Sequence, residues 1–148
     1  MNETIPESTD EASSPDDELL YFNYSATLRI FGRIPDFDAI SRTLGLQPTH
    51  FHRAGDRRSP RSEPYLHDHW SYRSPVPRDR PLHVHIDTLW SHLQPHRDYL
   101  ISLKERLTVD VFCGYRSNSC TAGVEVPHTS LEFFHALEIP FGLSVIIA

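Results

Sequence analysis

Three pairs of histidines in His-x-His spacing are the residues of this chain best suited to metal chemistry. In chain order they are His50/His52, His67/His69 and His83/His85. Residues i and i+2 of a strand share one face, so each pair can direct two imidazoles at one metal ion. If the first two pairs lie on adjacent strands, their four nitrogens could hold zinc or another transition metal, supported by Asp56 or Asp68. None of these spacings matches an established metal-binding signature such as His-Glu-x-x-His.

The segment from His50 to Trp70 contains a second candidate, an anion-binding loop. The residues of this candidate site are Arg53, Gly55, Asp56, Arg57, Arg58 and Trp70. Glycine allows a sharp turn that exposes backbone N–H groups, and arginine recognises carboxylate or phosphate with two parallel hydrogen bonds. The tryptophan could stack on a base or a guanidinium. The structural alternative is that Asp56 caps the turn and pairs with Arg53 while Trp70 fills the core.

Other catalytic arrangements are missing from the sequence. It has no Gly-x-Ser-x-Gly elbow and no glycine-rich phosphate loop. Cys113 and Cys120 fall in predicted strands without an activating motif, although they could face each other across a hairpin. We therefore favour a protein that is not an enzyme and has no cofactor, with a metal-dependent hydrolase as the alternative.

Charge is unevenly distributed along the 148 residues. The net charge is −6, yet residues 1–20 contain seven acidic and no basic side chains, which leaves the other 128 residues at +1. Such a segment buries too little apolar surface to offset the entropy of ordering. We predict a disordered acidic tail over residues 1–20 and a single domain over residues 21–148.

The same composition limits the partners and the location of the protein. Residues 50–80 hold seven arginines against four acidic residues, but the rest of the domain is poor in lysine, so nucleic acid is an unlikely partner. No apolar run is long enough to span a membrane, and the acidic start is unlike a signal peptide. We expect a soluble, cytoplasmic protein.

Hydrophobic periodicity indicates the elements that would position these side chains. Residues 21–31 alternate as a strand, and Asp36 and Gly45 bracket a short helix. Residues 47–69 form a long polar segment that is either functional or hides a short strand. The later elements are a strand at 69–73, helices at 82–93 and 96–107 separated by Pro95, paired strands at 108–115 and 120–126, a helix from Thr129 with a capping box, and a strand at 141–148.

This order predicts an α+β fold, a mainly antiparallel sheet with helices packed on one face. We expect a ferredoxin-like arrangement with a weak internal two-fold repeat, because the first and last strand-helix units have similar layouts. The apolar final strand is predicted to be central and covered on both faces. Pairing of this strand with a second copy, to give a homodimer, is the option left open.

Several motifs resemble those of one bacterial family. They are Leu28-x-Ile30-x-Gly32, Leu44-Gly45-Leu46-x-Pro48-Thr49, Arg53-x-Gly55-Asp56 and Trp70-x-x-x-Ser74. Together they resemble the family catalogued as domain of unknown function 4279, over roughly residues 22–148. The resemblance implies a small cytosolic α+β protein without an assigned activity. An accessory or immunity-like binding role follows only by analogy with that setting.

We therefore expect a non-enzymatic binding module that recognises a protein or a small anionic ligand through the loop of residues 50–70. The metal-dependent hydrolase built on the His-x-His pairs is the alternative.

Overall fold

The computed structural model describes residues 19–148 and contains one five-stranded sheet and four α-helices. The predicted tail at residues 1–18 lies outside the described residues, and Leu19 and Leu20 precede the first strand as exposed residues. The strands are β1 (Phe22–Gly32), β2 (His50–His52), β3 (Asp68–Arg73), β4 (Thr108–Ser117) and β5 (Leu143–Ile147). The helices are α1 (Phe37–Leu44), α2 (Leu82–Leu93), α3 (Arg97–Leu103) and α4 (Glu132–Leu137), and 3-10 turns precede α3 (Gln94–His96) and α4 (His128–Leu131).

The sheet is organised around β1. Its strand order is β2-β3-β1-β4-β5, and every neighbouring pair is antiparallel except the parallel pair β4-β5. This confirms the α+β class and the mainly antiparallel sheet. The ferredoxin-like arrangement and the two-fold repeat are not confirmed by this order.

Alternation along β1 separates a core face from a solvent face. Ala26, Leu28 and Ile30 are completely buried, and they share one hydrophobic core with apolar side chains from all four helices. Their neighbours Thr27 and Arg29 point to the opposite side and stay partly exposed. We call this uncovered side of the sheet the open face.

The predicted helix boundaries are partly confirmed. Asp36 accepts a hydrogen bond from the N–H of Ala39 (3.2 Å), and Gly45 ends α1 with a φ of 66°. Pro95 separates α2 from α3, but α3 ends at Leu103 rather than at residue 107. The Thr129 capping box is not formed, because the chain enters α4 through a 3-10 turn with no side-chain cap.

Two strand predictions are wrong. Residues 120–126 form no strand, because β4 already pairs with β1 on one edge and with β5 on the other, which leaves no edge for a hairpin partner. The final strand is not central. β5 is the outermost strand, and Val145, Ile146 and Ile147 are each about half exposed.

Candidate functional site

In the arginine loop, residues 53–67 between β2 and β3, the backbone N–H groups of the turn are hydrogen-bonded within the protein. Four consecutive N–H groups already have acceptors within the protein. The bonds run from Arg53 to Asp56 Oδ2 (2.9 Å), from Ala54 to Asp68 Oδ1 (2.8 Å), from Gly55 to the Tyr65 carbonyl (2.9 Å) and from Asp56 to the Arg53 carbonyl (3.1 Å). Gly55 does adopt a positive φ of 90°, as a sharp turn requires. The N–H groups predicted to face an anion are therefore occupied.

Hydrogen bonds to the Asp68 carboxylate connect this loop to the segment that follows β1. One carboxylate oxygen accepts from Ala54, and the other accepts from the N–H of Ile34 (2.9 Å), just after β1. These two hydrogen bonds favour the charged carboxylate and lower the pKa of Asp68 below its usual value. The Gly-Asp segment is thus a structural turn, held in place by a neighbouring carboxylate.

Of the predicted loop arginines, Arg53 lines a pocket together with Trp70, whereas Arg57 and Arg58 do not. Trp70 is completely buried in the core, where its Nε1 donates to the Ser41 hydroxyl (3.1 Å), so it cannot stack on a bound ligand. The Arg53 guanidinium lies 5.3 Å from the centre of the Phe37 ring. Arg57 donates to the Ser62 carbonyl (3.2 Å), and Arg58 is exposed to solvent.

Three of the four predicted histidines do meet, on the open face. The long polar segment of residues 47–69 does contain a short strand, β2. It pairs with β3 so that His52 lies opposite His69. His50 Nε2 and His52 Nδ1 are 2.9 Å apart, and the centres of the His52 and His69 rings are 5.1 Å apart. The fourth residue, His67, precedes β3 and is exposed. We call His50, His52 and His69 the histidine cluster.

Two residues of the histidine cluster, His52 and His69, have lowered pKa values. Burial, followed by the neighbouring His52 and His50 imidazoles, lowers the pKa of His69 to about 4. Burial and His50 also lower the pKa of His52, whose ring stacks on Tyr65 at a centre-to-centre distance of 3.5 Å. Within residues 19–148, no group of three or more His, Cys, Asp or Glu is arranged to hold a metal ion. The predicted metal site therefore gains no support from this geometry.

The cysteines are also not arranged for chemistry. Both are free thiols, with Cys113 buried and Cys120 exposed, so they do not face each other across a hairpin. Burial raises the pKa of the Cys113 thiol to about 12, which disfavours the nucleophilic thiolate.

A different cluster of arginines lines an open groove of about 570 Å³ on the open face. Arg73 comes from the end of β3, Arg78 from the loop after it, and Arg116 from β4. The described part of the chain offers none of the three an ion-pair partner, since its ion pairs involve other arginines. We call this feature the arginine groove.

Small side chains and local hydrogen bonds shape the groove. A Cβ at Gly114 would lie 2.7 Å from the Ser25 hydroxyl oxygen, so the absence of a side chain at this position adds to the depth of the groove. Tyr21 forms part of the wall and is fixed by a hydrogen bond from its N–H to Asn118 Oδ1 (3.0 Å). The same Asn118 donates to the carbonyl of Leu19 (3.1 Å), so the acidic N-terminal segment joins the domain beside the groove.

The open face also contains one neutralised arginine. Arg29 forms two hydrogen bonds of 2.7 Å with the two carboxylate oxygens of Asp110, directly opposite it on β4. This pair lies on the same face as both the histidine cluster and the arginine groove. Its charge is already balanced, in contrast to the arginines of the groove.

Sequence reasoning did not identify the arginine groove, because its three arginines are separated along the chain. The signal that was available is the polar stripe of β1, Ser25, Thr27 and Arg29, which indicates that one sheet face stays uncovered. Polar residues of the neighbouring strands that share this face, such as Arg73 and Arg116, are then the candidates. Identifying them required the strand order and register.

Comparison with known families gives one match. The family model described as Domain of unknown function (DUF4279) matches residues 22–147. No curated protein and no solved structure matches the chain. No helix of the described residues is both long and apolar enough to cross a membrane.

Proposed function

The chain belongs to the DUF4279 family, whose description assigns no activity, and from that premise we propose that it is a non-enzymatic binding module for an anionic ligand. We place the ligand in the arginine groove rather than on the arginine loop. The ligand would present carboxylate or phosphate groups, as an acidic segment of a partner protein does. In this proposal the protein works in the bacterial cytosol in an accessory or immunity-like role.

The observation that carries the proposal is the convergence of three arginines without carboxylate partners on one concave surface. Arginine stays charged at any physiological pH and presents a planar set of donors that matches carboxylate and phosphate. Placing three such cations close together is unfavourable unless an anion is shared between them. The groove is open and lies on a rigid sheet, which suits an extended ligand better than an enclosed small molecule.

The polar groups around these arginines add directional contacts. Tyr21, Asn23 and Ser25 line the same groove and can donate hydrogen bonds to ligand oxygens. The histidine cluster lies elsewhere on the open face, and the pKa of His69 is about 4, so this imidazole is neutral near pH 7 and adds little attraction for an anion. The metal-dependent hydrolase is supported by no comparable observation.

The test is calorimetric titration of the full chain with two probes, a hexaglutamate peptide and inorganic pyrophosphate. The Arg73→Gln/Arg116→Gln double variant is expected to weaken binding by about tenfold or more, since one hydrogen bond to a charged group contributes roughly 1.5 kcal/mol. Glutamine keeps much of the side-chain length, and both positions are exposed, so the fold should be retained.

The matched control is Arg57→Gln/Arg58→Gln, which removes the same charge from the arginine loop. It should change the affinity by less than about twofold, because neither residue lines the groove and exposed charges that do not contact the ligand are well screened at physiological salt. A loss confined to this control would move the binding site to the loop. An equal loss of affinity in both variants, or no loss of affinity in either, would refute a specific arginine groove.

A further inference from the structure

The outer edge of β5 is unprotected. β5 is the last strand of the sheet, and along residues 143–147 it pairs only with β4 among the described residues. Its sequence, Leu-Ser-Val-Ile-Ile, contains no charged residue and no proline, and Val145, Ile146 and Ile147 are 53%, 51% and 53% exposed. A free row of backbone hydrogen-bonding groups flanked by apolar side chains is a template for another strand.

The opposite edge of the sheet is built differently. β2 is only three residues long, and two of these are the histidines His50 and His52. It is followed at once by Arg53 and the tightly bonded arginine loop. Short length and polar or charged neighbours are the usual protection of an edge strand against pairing. Among the described residues, β5 has no such protection, so the two edges of this sheet differ in how readily they can pair.

We propose that β5 pairs in antiparallel fashion with β5 of a second copy of this chain. A two-fold axis at Val145 would join the two sheets into one continuous sheet of ten strands. In this register Val145 faces Val145, Leu143 faces Ile147, and Ser144 faces Ile146. The strand is therefore self-complementary, as a two-fold interface requires, and it brings no charged side chains together.

The charge distribution also permits this pairing. The acidic segment joins the domain at Leu19, and the neighbouring Tyr21 hydroxyl donates to the Ala148 carbonyl at the C-terminal end of β5 (2.9 Å). An antiparallel pair places the two C-terminal ends at opposite ends of the interface. With about 3.3 Å per residue, the two attachment points are more than about 15 Å apart. That distance exceeds the Debye length of about 8 Å at physiological salt, so charges at the two attachment points are largely screened from each other.

The pairing changes the arginine groove as well. Ser144 and Ile146 both line the groove and face each other across the proposed interface. Each copy would therefore extend the wall of the other copy's groove, and the two grooves would lie side by side on the same open face. The dimer would present six arginines to one extended ligand. The pairing itself does not depend on the proposed ligand.

Sedimentation equilibrium of the full chain, from about 1 µM to about 100 µM, tests this inference. The expected result is a mass of twice the 17.1 kDa of one chain at the upper concentrations. Val145→Lys places two like charges opposite each other at the axis and should give a single-chain mass. The side chain is half exposed, so the fold should be retained, which circular dichroism checks.

Two further samples make the result specific. Phe51→Lys adds the same charge to an exposed apolar residue (60% exposed) on the opposite edge strand and should leave the dimer intact. Mixing Val145→Lys with Val145→Glu chains should restore a dimer, because opposite charges then face each other at the axis. A single-chain mass for the unmodified protein, a dimer that survives Val145→Lys, dissociation by Phe51→Lys, or failure of the mixture to pair would each overturn the proposal.

Discussion

The arginine loop and the arginine groove contain similar side chains in different arrangements. In the loop, the backbone N–H groups of residues 53–56 all have acceptors inside the protein, and Arg57 is bonded to the Ser62 carbonyl. In the groove, the guanidinium groups come from three separate segments and line one concave surface. Neither these arginines nor Arg53, Arg57 and Arg58 of the loop have a carboxylate partner within residues 19–148. The loop is dense in arginine along the chain, whereas the groove is dense in arginine in space.

This difference shows that arginines close together in the sequence need not be the ones that the fold gathers on one concave surface. A polar loop must first satisfy its own backbone, and here the acceptors are the Asp68 and Asp56 carboxylates and two carbonyls of the loop itself. The groove differs from the loop because the fold brings its arginines onto one concave surface. The following predictions separate the two regions, beginning with the largest expected effect.

Asp68→Ala should destabilise the protein without weakening anion binding. The substitution removes the acceptors of the Ala54 and Ile34 N–H groups, and we expect a loss of about 1–3 kcal/mol in the free energy of unfolding. Urea denaturation measures this loss, and titration with hexaglutamate at low temperature measures the affinity. Asp38→Ala, at an exposed residue in the first turn of α1, is the control. A loss of affinity with unchanged stability would make the loop a binding site after all.

The stability of the protein should fall on acidification, because of the histidine cluster. The pKa of His69 is about 4 in the folded protein but near 6.5 when unfolded, so the unfolded chain binds more protons between these pH values. Stability is therefore greatest above about pH 6.5 and decreases toward about pH 4. His69→Gln should flatten this dependence in urea midpoints measured at several pH values, whereas the exposed His92→Gln should not.

Anion binding should not follow the same pH dependence. The arginines of the groove keep their charge throughout this range, so the affinity for pyrophosphate at a constant ligand charge should change little. Tighter binding on acidification that disappears in His69→Gln would point to the histidine cluster as the anion site.

The smallest expected effect concerns the acidic N-terminal segment. Replacing its seven acidic residues by Asn or Gln removes seven negative charges from a segment that joins the domain beside the groove. The affinity for hexaglutamate should then rise a few-fold at low salt and return toward the original value near 0.5 M salt, where the Debye length is only about 4 Å. An equal rise at high salt would contradict this electrostatic explanation.

Local signals were sufficient for much of the fold. Alternation located β1 and β4, and the N-cap Asp36 and the C-terminal Gly45 located α1, because these signals depend on residues close together in the chain. The predicted strand at 120–126 and the central position of the last strand were wrong for the opposite reason. Both depend on which strand edges are already occupied, a property of the whole sheet that no short segment encodes.

For the candidate site, too, features within one segment were predictable from the sequence, and contacts between distant segments were not. The sequence predicted that the histidine pairs 50/52 and 67/69 could meet on adjacent strands, and β2 and β3 bring three of these four residues together. It could not predict that Asp68 would occupy the turn amides, or that Arg73 and Arg116 would converge from strands on either side of β1. These outcomes depend on the register between distant strands.

A small substitution at Gly114, at the base of the arginine groove, offers a way to block the proposed binding site while leaving every charge in place. A side chain there would project toward the Ser25 hydroxyl and the Phe112 ring, into the space that a ligand would occupy. The Ser25 hydroxyl can rotate away, so a small substitution blocks the groove from beneath and the chain can still fold. Expressed in the native host, this variant would be folded but would not bind the proposed ligand. It would therefore separate phenotypes caused by loss of ligand binding from those caused by loss of the protein.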